Sequence, residues 1–154
     1  MPGCYADAAA VLRGEFASLP TSECVSDSEA SGSARKVYRV TDDSGDVVYK
    51  VEGYREHDNE TEYEILSDHS DYEWAPPVSL FLVDDKPVLC MPYYENSDVY
   101  GVSTMEIKLI EDILDVWHIA HGNMYPSPDI HHGNYRVIGP EQVMVIDAAG
   151  NFNM

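Results

Sequence analysis

Basic residues are scarce in this chain of 154 residues. It has 9 lysines and arginines against 28 aspartates and glutamates, which gives a formal net charge of −19. Binding to nucleic-acid phosphates requires clusters of basic side chains, so this composition argues against direct binding to nucleic acid. A surface this acidic suits three situations: ordinary solvation, a cell interior rich in salt, or imitation of a nucleic acid toward a basic host protein.

Cysteines and long apolar runs are also few. Cys4, Cys24 and Cys90 are an odd number without paired spacing, which argues against a disulfide framework. Cys90 lies in an apolar segment, and we expect it to be buried. No apolar run approaches the ~20 residues that span a bilayer. The first residues lack the basic start and apolar core of a signal peptide. We therefore expect a cytoplasmic protein, in the host cytoplasm if it is viral, without membrane association.

The chain has enough apolar residues to form a core, since 44% are hydrophobic and 11 are tyrosines. Local patterns of alternation, helical spacing and turn residues predict an α+β chain, expected to fold as a single domain over residues 1–154. The expected order is a helix over 5–19, a polar loop over 21–34, strands over 36–40 and 47–51, a helix over 60–67, strands over 78–83 and 87–91, a helix from a capping box at Ser103 and Glu106 to about 121, and strands over 134–138 and 143–146.

The segment from Asp129 to Asp147 carries the most informative motif. Asp129-Ile-His-His-Gly-Asn134 precedes a predicted hairpin that ends at Asp147. One carboxylate of this set can orient a hydroxyl group and accept its proton. The amide and the second carboxylate are oxygen ligands of the kind that Mg²⁺ prefers on a nucleotide triphosphate. This pattern indicates phosphoryl transfer, although Asp129 alone is also suited to capping a turn.

The motif and the order of elements resemble the protein-kinase-like fold, including its aminoglycoside-phosphotransferase branch and the short serine/threonine kinase-like proteins of bacteriophages. The resemblance covers roughly residues 30–150. It implies an N-lobe over 30–95, in which an antiparallel sheet carries one regulatory-type helix. The N-terminal helix, placed within residues 1–20 by its apolar spacing, precedes this lobe. A truncated C-terminal lobe over 103–150 then contains the long helix and a catalytic-loop hairpin.

The resemblance also implies a role for each matching residue. Lys50 is expected to meet the phosphates of ATP and to be held by Glu62, with Glu60 as the alternative acid. Asp129 is the expected catalytic residue of the loop. The remaining expected ligands are Gly32 and Ser33 for the phosphates, Met91 and Tyr93 for adenine, and Asn134 and Asp147 for Mg²⁺.

The sequence departs from the family pattern in three places, and these departures favour a kinase-like protein without catalytic activity. The glycine-rich phosphate loop is reduced to Ser31-Gly32-Ser33-Ala34. Ser127-Pro128 replaces the usual His-Arg before the catalytic aspartate, and Asp147-Ala-Ala-Gly150 lacks the usual Phe-Gly.

Two functions are therefore predicted. The first is an ATP- and Mg²⁺-dependent phage-type serine/threonine kinase that acts on host proteins. The second is a catalytically inactive, acidic kinase-like phage protein that binds and inhibits a basic host protein, such as a nucleic-acid enzyme or a defence complex. A small-molecule phosphotransferase is a third possibility, and the oligomeric state stays open. The histidines do not favour a zinc hydrolase, because their spacing fits no established ligand motif. They are His118, His121, His131 and His132.

Overall fold

A computed structural model shows that the chain is a mixed α+β protein. The structure describes residues 2–16, 19, 22–26, 35–42, 45–52, 57–95, 104–120, 135–139 and 142–148. Its elements are α1 (Tyr5–Arg13), β1 (Ser22–Ser26), β2 (Arg35–Asp42), β3 (Gly45–Glu52), α2 (Asp58–Asp68), β4 (Ser79–Val83), β5 (Lys86–Pro92), α3 (Thr104–Ala120), β6 (Tyr135–Gly139) and β7 (Gln142–Val145).

The chain divides into two compact units. The first comprises Met1–Glu64 and Pro77–Tyr93, and the second comprises Ile65–Pro76 and Tyr94–Met154. The first unit contains a five-stranded antiparallel sheet in the order β1-β2-β3-β5-β4. The second contains a two-stranded antiparallel sheet of β6 and β7.

The hairpin of β2 and β3 fixes which residues share a face of the large sheet. Val37 lies opposite Lys50, and Lys50 in turn lies opposite Leu89 of β5. Tyr49 pairs with Tyr38 and Cys90 in the same way. Because side chains alternate along a strand, the sheet has a Lys50 face and a Tyr49 face. The predicted hairpin is confirmed.

Helix α1 packs on the Tyr49 face and forms the core of the first unit. Its buried residues are Ala8, Ala9, Ala10 and Val11, and the sheet contributes Val40, Tyr49, Val83, Val88 and Cys90. Short alanines let the helix approach the sheet closely, while the valines and the tyrosine fill the space between them. The expected burial of Cys90 is confirmed, since it is completely buried.

Helix α1 ends at Arg13, so the prediction of a helix over 5–19 is wrong at its C-terminal end. Gly14 follows in the left-handed conformation with φ +73°. Its N–H donates to the carbonyl oxygen of Val11 at 3.3 Å, and the N–H of Glu15 donates to the carbonyl oxygen of Ala10 at 2.8 Å. This glycine cap stops the helix before the apolar spacing ends at Leu19.

Residues 21–34 were expected to form a loop, and this prediction is wrong for Ser22–Ser26. They form edge strand β1, which pairs with β2 from Ser22 opposite Val40 to Ser26 opposite Val37. The pairing contains a register shift between Cys24 and Ser26. Such an irregularity is common on edge strands.

The turn between β4 and β5 confirms the expected second hairpin. Asp84 and Asp85 both have positive φ, at 52° and 65°. Aspartate tolerates this conformation better than most residues, and two such residues in succession match the twist of the flanking strands. The Arg13 guanidinium donates two hydrogen bonds to Asp84, at 2.9 and 3.0 Å, and thereby ties the end of α1 to this turn.

Within the second unit, α3 buries the stripe that the sequence predicts. Ile110, Leu114 and Trp117 are buried, and Ile107 is partly buried. Trp117 donates from Nε1 to the Asp68 carboxylate at 2.7 Å. The N–H of Val145 donates to the carbonyl oxygen of Trp74 at 2.9 Å. Ser103 and Gly122, the predicted ends of this helix, lie outside the described residues.

The last predicted hairpin is confirmed as β6 and β7. None of the helices among the described residues combines the length and the apolar composition needed to cross a bilayer.

Candidate functional site

A buried ion pair joins the middle of β3 to α2. The Lys50 ammonium lies 2.6 Å from Oε1 of Glu62. The Lys50 side chain is 5% exposed and the Glu62 side chain is completely buried. The structure thus brings together two residues that were expected to share a site. Their expected role in binding phosphate stays a prediction.

The position of Lys50 follows from the sheet. Val48, Tyr49 and Lys50 are all buried, so the centre of β3 is covered on both faces. An ammonium group at such a position is costly unless it is paired. Glu62 supplies the partner because α2 lies on the Lys50 face.

Glu60 does not replace Glu62 as the acid. The Glu60 side chain is 55% exposed, and it lies 3.7 Å from His57. On a helix, residues two apart point in different directions, so Glu60 faces away when Glu62 faces the sheet. The alternative assignment of Glu60 is therefore wrong for the contact with Lys50.

Arg35 joins the same carboxylate and was not expected from the sequence. Its Nη1 lies 2.9 Å from Oε1 of Glu62 and 3.1 Å from Oδ1 of Asn59. The residue is 4% exposed. One oxygen of Glu62 therefore accepts hydrogen bonds from two cations, a lysine and an arginine. Charge-assisted hydrogen bonds of this kind are among the strongest in proteins.

Asn59 fixes the first turn of α2 to the sheet. Its Nδ2 donates to the carbonyl oxygens of Lys50 and Pro87, both at 2.9 Å. Asn59 and Glu62 are three residues apart on one face of the helix. The two hydrogen bonds of Asn59 to the strands therefore also direct Glu62 toward the sheet. The amide of Asn59 is completely buried and bonds through both its nitrogen and its oxygen. This makes α2 and the strands a rigid frame for the ion pair.

Glu52 caps the start of α2 at the edge of this cluster. Its Oε2 accepts a hydrogen bond from the N–H of Asp58 at 3.0 Å. Burial raises the pKa of the Glu52 carboxyl, although this hydrogen bond acts in the opposite direction. A carboxylate at a helix N-terminus is favourable because it compensates the helix dipole. We call the group of Arg35, Lys50, Asn59 and Glu62 the Glu62 cluster.

The expected adenine contacts, Met91 and Tyr93, lie at the end of β5. Met91 is 1% exposed and faces the Lys50 side of the sheet, opposite Val48. The N–H of Tyr93 donates to the carbonyl oxygen of Asp46 at 3.0 Å. The Arg39 guanidinium lies 3.9 Å from the centre of the Tyr93 ring. An adenine contact at Tyr93 therefore has to use atoms other than its N–H.

The expected metal ligand Asp147 belongs to the second unit. It follows β7 and is partly buried, and its neighbour Ala148 is completely buried. Four other expected site residues lie outside the described residues: Gly32, Ser33, Asp129 and Asn134. Within the described ranges, no three histidine, cysteine, aspartate or glutamate side chains are grouped as a metal site.

No protein-family model matches this sequence, and no curated protein matches it.

Proposed function

We propose that this chain is a kinase-like protein that binds Mg·ATP and transfers the γ-phosphoryl group to a hydroxyl group of a host protein, as phage-type serine/threonine kinases do. One observation carries the proposal: the buried ion pair of Lys50 and Glu62, at 2.6 Å, between a central strand and the helix that follows it. A lysine held in this way can present a fixed positive charge to a phosphate.

The order of elements supports the same assignment. Strands β2 and β3, helix α2 and strands β4 and β5 agree with an N-lobe over residues 30–95, with α2 as the regulatory-type helix. Helix α3 and the hairpin of β6 and β7 agree with the segment of a C-terminal lobe that carries a catalytic loop, over residues 103–150.

The expected role of each residue follows from the chemistry of phosphoryl transfer, which depends on positioning and electrostatics. Lys50, kept in place by Glu62, stabilises negative charge on the phosphates. Asp129 orients the acceptor hydroxyl, and backbone amides near Gly32 and Ser33 cover the phosphates. Asn134 and Asp147 would hold Mg²⁺, and the ion would neutralise phosphate charge.

Calorimetric titration with Mg·ATP tests this function. The wild-type protein should bind, and Lys50→Met should weaken binding by about 1.5–3 kcal/mol, because a charge-assisted contact to phosphate is lost. Lys86→Met is the matched control, since Lys86 is exposed at the start of β5 and should leave binding unchanged. Equal affinity of the wild-type protein and Lys50→Met would show that Lys50 does not meet the nucleotide.

A second function is favoured by the net charge of −19 and by Arg35. Arg35 and Lys50 both contact Glu62. These buried contacts can stabilise the packing of α2 on the sheet even in a protein that has no catalytic activity. Such a kinase-like protein would bind and inhibit a basic host protein, and the association should weaken steeply with salt.

Two measurements separate the functions. Incubation with labelled ATP and a host extract yields labelled host proteins only if the chain transfers phosphoryl groups. A pull-down from the same extract, at about 50 mM and about 500 mM salt, recovers a salt-sensitive basic protein if the chain is an inhibitor. Labelling without salt-sensitive capture supports the kinase, and the reverse result supports the inhibitor.

A further inference from the structure

Helix α3 carries apolar residues on a second face, besides the buried stripe that ends at Trp117. Leu109 and Val116 are 59% and 68% exposed, and Ile119 is 69% exposed. An ordinary surface helix has one apolar stripe, which faces the core, so a second and exposed stripe indicates a surface for a partner. We call the following residues the outer stripe of α3: Leu109, Ile113, Val116 and Ala120.

The outer stripe borders a groove within the second unit. On α3 the groove is lined by Ile113, Val116, Trp117 and Ala120, and opposite them lie His69 and Tyr72, which follow α2. The centre of the His69 ring is 5.8 Å from that of Tyr72 and 6.5 Å from that of Trp117. The groove therefore presents aromatic and aliphatic surface, which suits an apolar side chain of a partner.

The polar atoms of these rings are bonded inside the protein. His69 donates from Nδ1 to the carbonyl oxygen of Ile65 at 2.7 Å, and Trp117 donates from Nε1 to Asp68 at 2.7 Å. His69 is 8% exposed and Trp117 is 7% exposed. The floor of the groove is thus held by its own contacts, and a partner would find it already formed.

The surroundings of the groove are acidic. The segment of residues 65–76 contains three acids and no lysine or arginine, and its Asp71 and Glu73 are exposed on either side of Tyr72. Lys108 is the only lysine or arginine of α3, and it lies 3.8 Å from Asp112, whose charge it balances. A partner that brings positive charge beside its apolar side chains is therefore complementary to this surface.

We propose that the outer stripe and the groove bind an amphipathic helix of a basic host protein. Its apolar side chains would cover the stripe, and its lysines or arginines would lie near Asp71 and Glu73. The stripe residues recur at intervals of four, three and four, which is the spacing at which two helices pack along each other. The stripe extends over about 16 Å, or three helical turns. The inference rests on the second proposed function, for which it names the binding surface and the kind of segment bound.

A second copy of this chain does not fit the same surface. Two α3 helices packed through their outer stripes would bring Glu111 and Asp115 of both copies together, and like charges oppose such packing. The excess of acids favours a basic partner over self-association.

The experiment uses fluorescence anisotropy with a labelled peptide of about 18 residues, in which leucines recur at helical spacing among lysines. Two further peptides separate the contributions. One replaces the leucines by serines, and the other replaces the lysines by glutamates. The leucine–lysine peptide should bind, the serine–lysine peptide should bind about tenfold more weakly, and the leucine–glutamate peptide should not bind measurably.

Protein variants locate the surface. Val116→Ser should weaken the leucine–lysine peptide about tenfold, because the valine side chain is no longer buried by it. Leu82→Ser is the matched control, since Leu82 is 66% exposed on β4 of the first unit and should leave the affinity unchanged. Circular dichroism should show that both variants fold, as both side chains are exposed. If Val116→Ser does not fold, Ile119→Ser takes its place.

Charge variants test the acidic border. Asp71→Asn combined with Glu73→Gln should weaken the leucine–lysine peptide about fivefold at about 50 mM salt and less than about twofold at about 300 mM, because salt screens exposed charges. Glu60→Gln combined with Asp85→Asn removes the same charge from exposed positions of the first unit and should have a smaller effect at both salt concentrations.

Three results would overturn the proposal. Equal effects of Val116→Ser and Leu82→Ser, or equal binding of the serine–lysine peptide, would show only a general attraction to an acidic protein. Equal binding of the leucine–glutamate peptide would show an apolar site without preference for basic partners. A dimer in sedimentation velocity that Val116→Ser abolishes would make a second copy the occupant.

Failure of the proposal is distinguishable from failure of the second proposed function. If the pull-down captures a salt-sensitive basic host protein and Val116→Ser captures it equally, the groove is not the binding surface, although the inhibitor function stands. If no such protein is captured, while Val116→Ser still weakens the leucine–lysine peptide, the inhibitor function fails and the groove is supported as a site for basic helices.

Discussion

Glu62 accepts hydrogen bonds from Lys50 and from Arg35 through the same carboxylate oxygen, at 2.6 and 2.9 Å. All three residues are nearly or completely buried. The carboxylate offsets much of the cost of burying these positive charges, because both cations contact it.

Glu62→Ala should therefore destabilise the protein by about 3–5 kcal/mol, since it leaves two cations in the interior without this partner. Chemical denaturation followed by circular dichroism measures the loss. Glu64→Ala is the matched control, because Glu64 is exposed on the same helix and should change stability by no more than about 0.5 kcal/mol. Equal effects of the two substitutions would mean that the buried pair does not form in solution.

The two aspartates of the sequence motif should respond differently to substitution. Asp147→Ala should abolish Mg·ATP binding, because its carboxylate is expected to hold the metal ion. Asp129→Ala should preserve binding and remove phosphoryl transfer, because its expected partner is the acceptor hydroxyl. Calorimetry and a labelled-ATP assay separate the two effects.

Asp112→Ala serves as the control for the aspartate series. Asp112 is exposed on α3, so its loss should affect neither measurement. If Asp147→Ala and Asp129→Ala both bind Mg·ATP like the wild-type protein, the assignment of Asp147 as a metal ligand is wrong.

Local patterns were sufficient to predict both hairpins of the first unit. One signal is the alternation of apolar and polar residues in β2 and β3, and the other is the pair of aspartates between β4 and β5. Each signal extends over only a few residues, so it can be recognised from the sequence alone. The end of α1 was missed because the apolar spacing continues to Leu19. The left-handed cap at Gly14 is the stronger local signal, and it stops the helix at Arg13.

Strand β1 could not be predicted because its stability comes from pairing. Ser22–Ser26 contains a single β-branched residue, Val25, inside a polar stretch. Such a segment has little strand propensity of its own. It becomes a strand because the free edge of β2 offers hydrogen-bonding partners.

Only part of the site was predicted from the sequence. Lys50 was predicted to have a charged partner because it is a charged residue within an apolar strand. Arg35 was missed, although the hairpin register carries the signal. Arg35 pairs with Glu52 and lies two residues from Val37, the partner of Lys50, so both cations fall on one face. The contact of Asn59 with Pro87 joins distant segments, and no local pattern reveals it.

Gly3 lies in a tightly packed place that should not tolerate a larger residue. A Cβ atom added there would lie 2.4 Å from Sγ of Cys90 and 2.8 Å from the hydroxyl oxygen of Tyr49. The same hydroxyl accepts a hydrogen bond from the N–H of Cys4 at 3.1 Å. Gly3→Ala should therefore displace the N-terminal residues from the sheet and lower stability.

Gly14→Ala separates this steric effect from backbone strain. Both glycines have positive φ, at 75° and 73°, but no atom lies within 4 Å of a Cβ at Gly14. Gly14→Ala should cost about 1 kcal/mol from strain alone. Gly3→Ala should cost at least about 1 kcal/mol more in urea unfolding, because of the overlap. Equal costs would show that the N-terminal residues do not pack on Cys90.

Cys90 should be chemically inert in the folded protein, unlike the exposed Cys4. Burial raises the pKa of the Cys90 thiol from 9.0 to about 12, and only the thiolate is an effective nucleophile. At pH 8, iodoacetamide should modify Cys4 and leave Cys90 unmodified, as peptide mass spectrometry can show. In denaturing urea, both residues should react. Modification of Cys90 at the rate of Cys4 without urea would contradict its burial beneath α1.

The same shift predicts a loss of stability at alkaline pH. Because the pKa of Cys90 is higher in the folded than in the unfolded chain, its contribution is complete below pH 9 and is lost as the pH rises toward about 12. The slope should be about 1 kcal/mol per pH unit within that window. Cys90→Ala should have a shallower slope, and the remaining loss includes Tyr49, whose pKa burial also raises. Identical slopes for the two proteins, measured by urea unfolding between pH 9 and 11, would mean that the thiol ionises equally easily in both states.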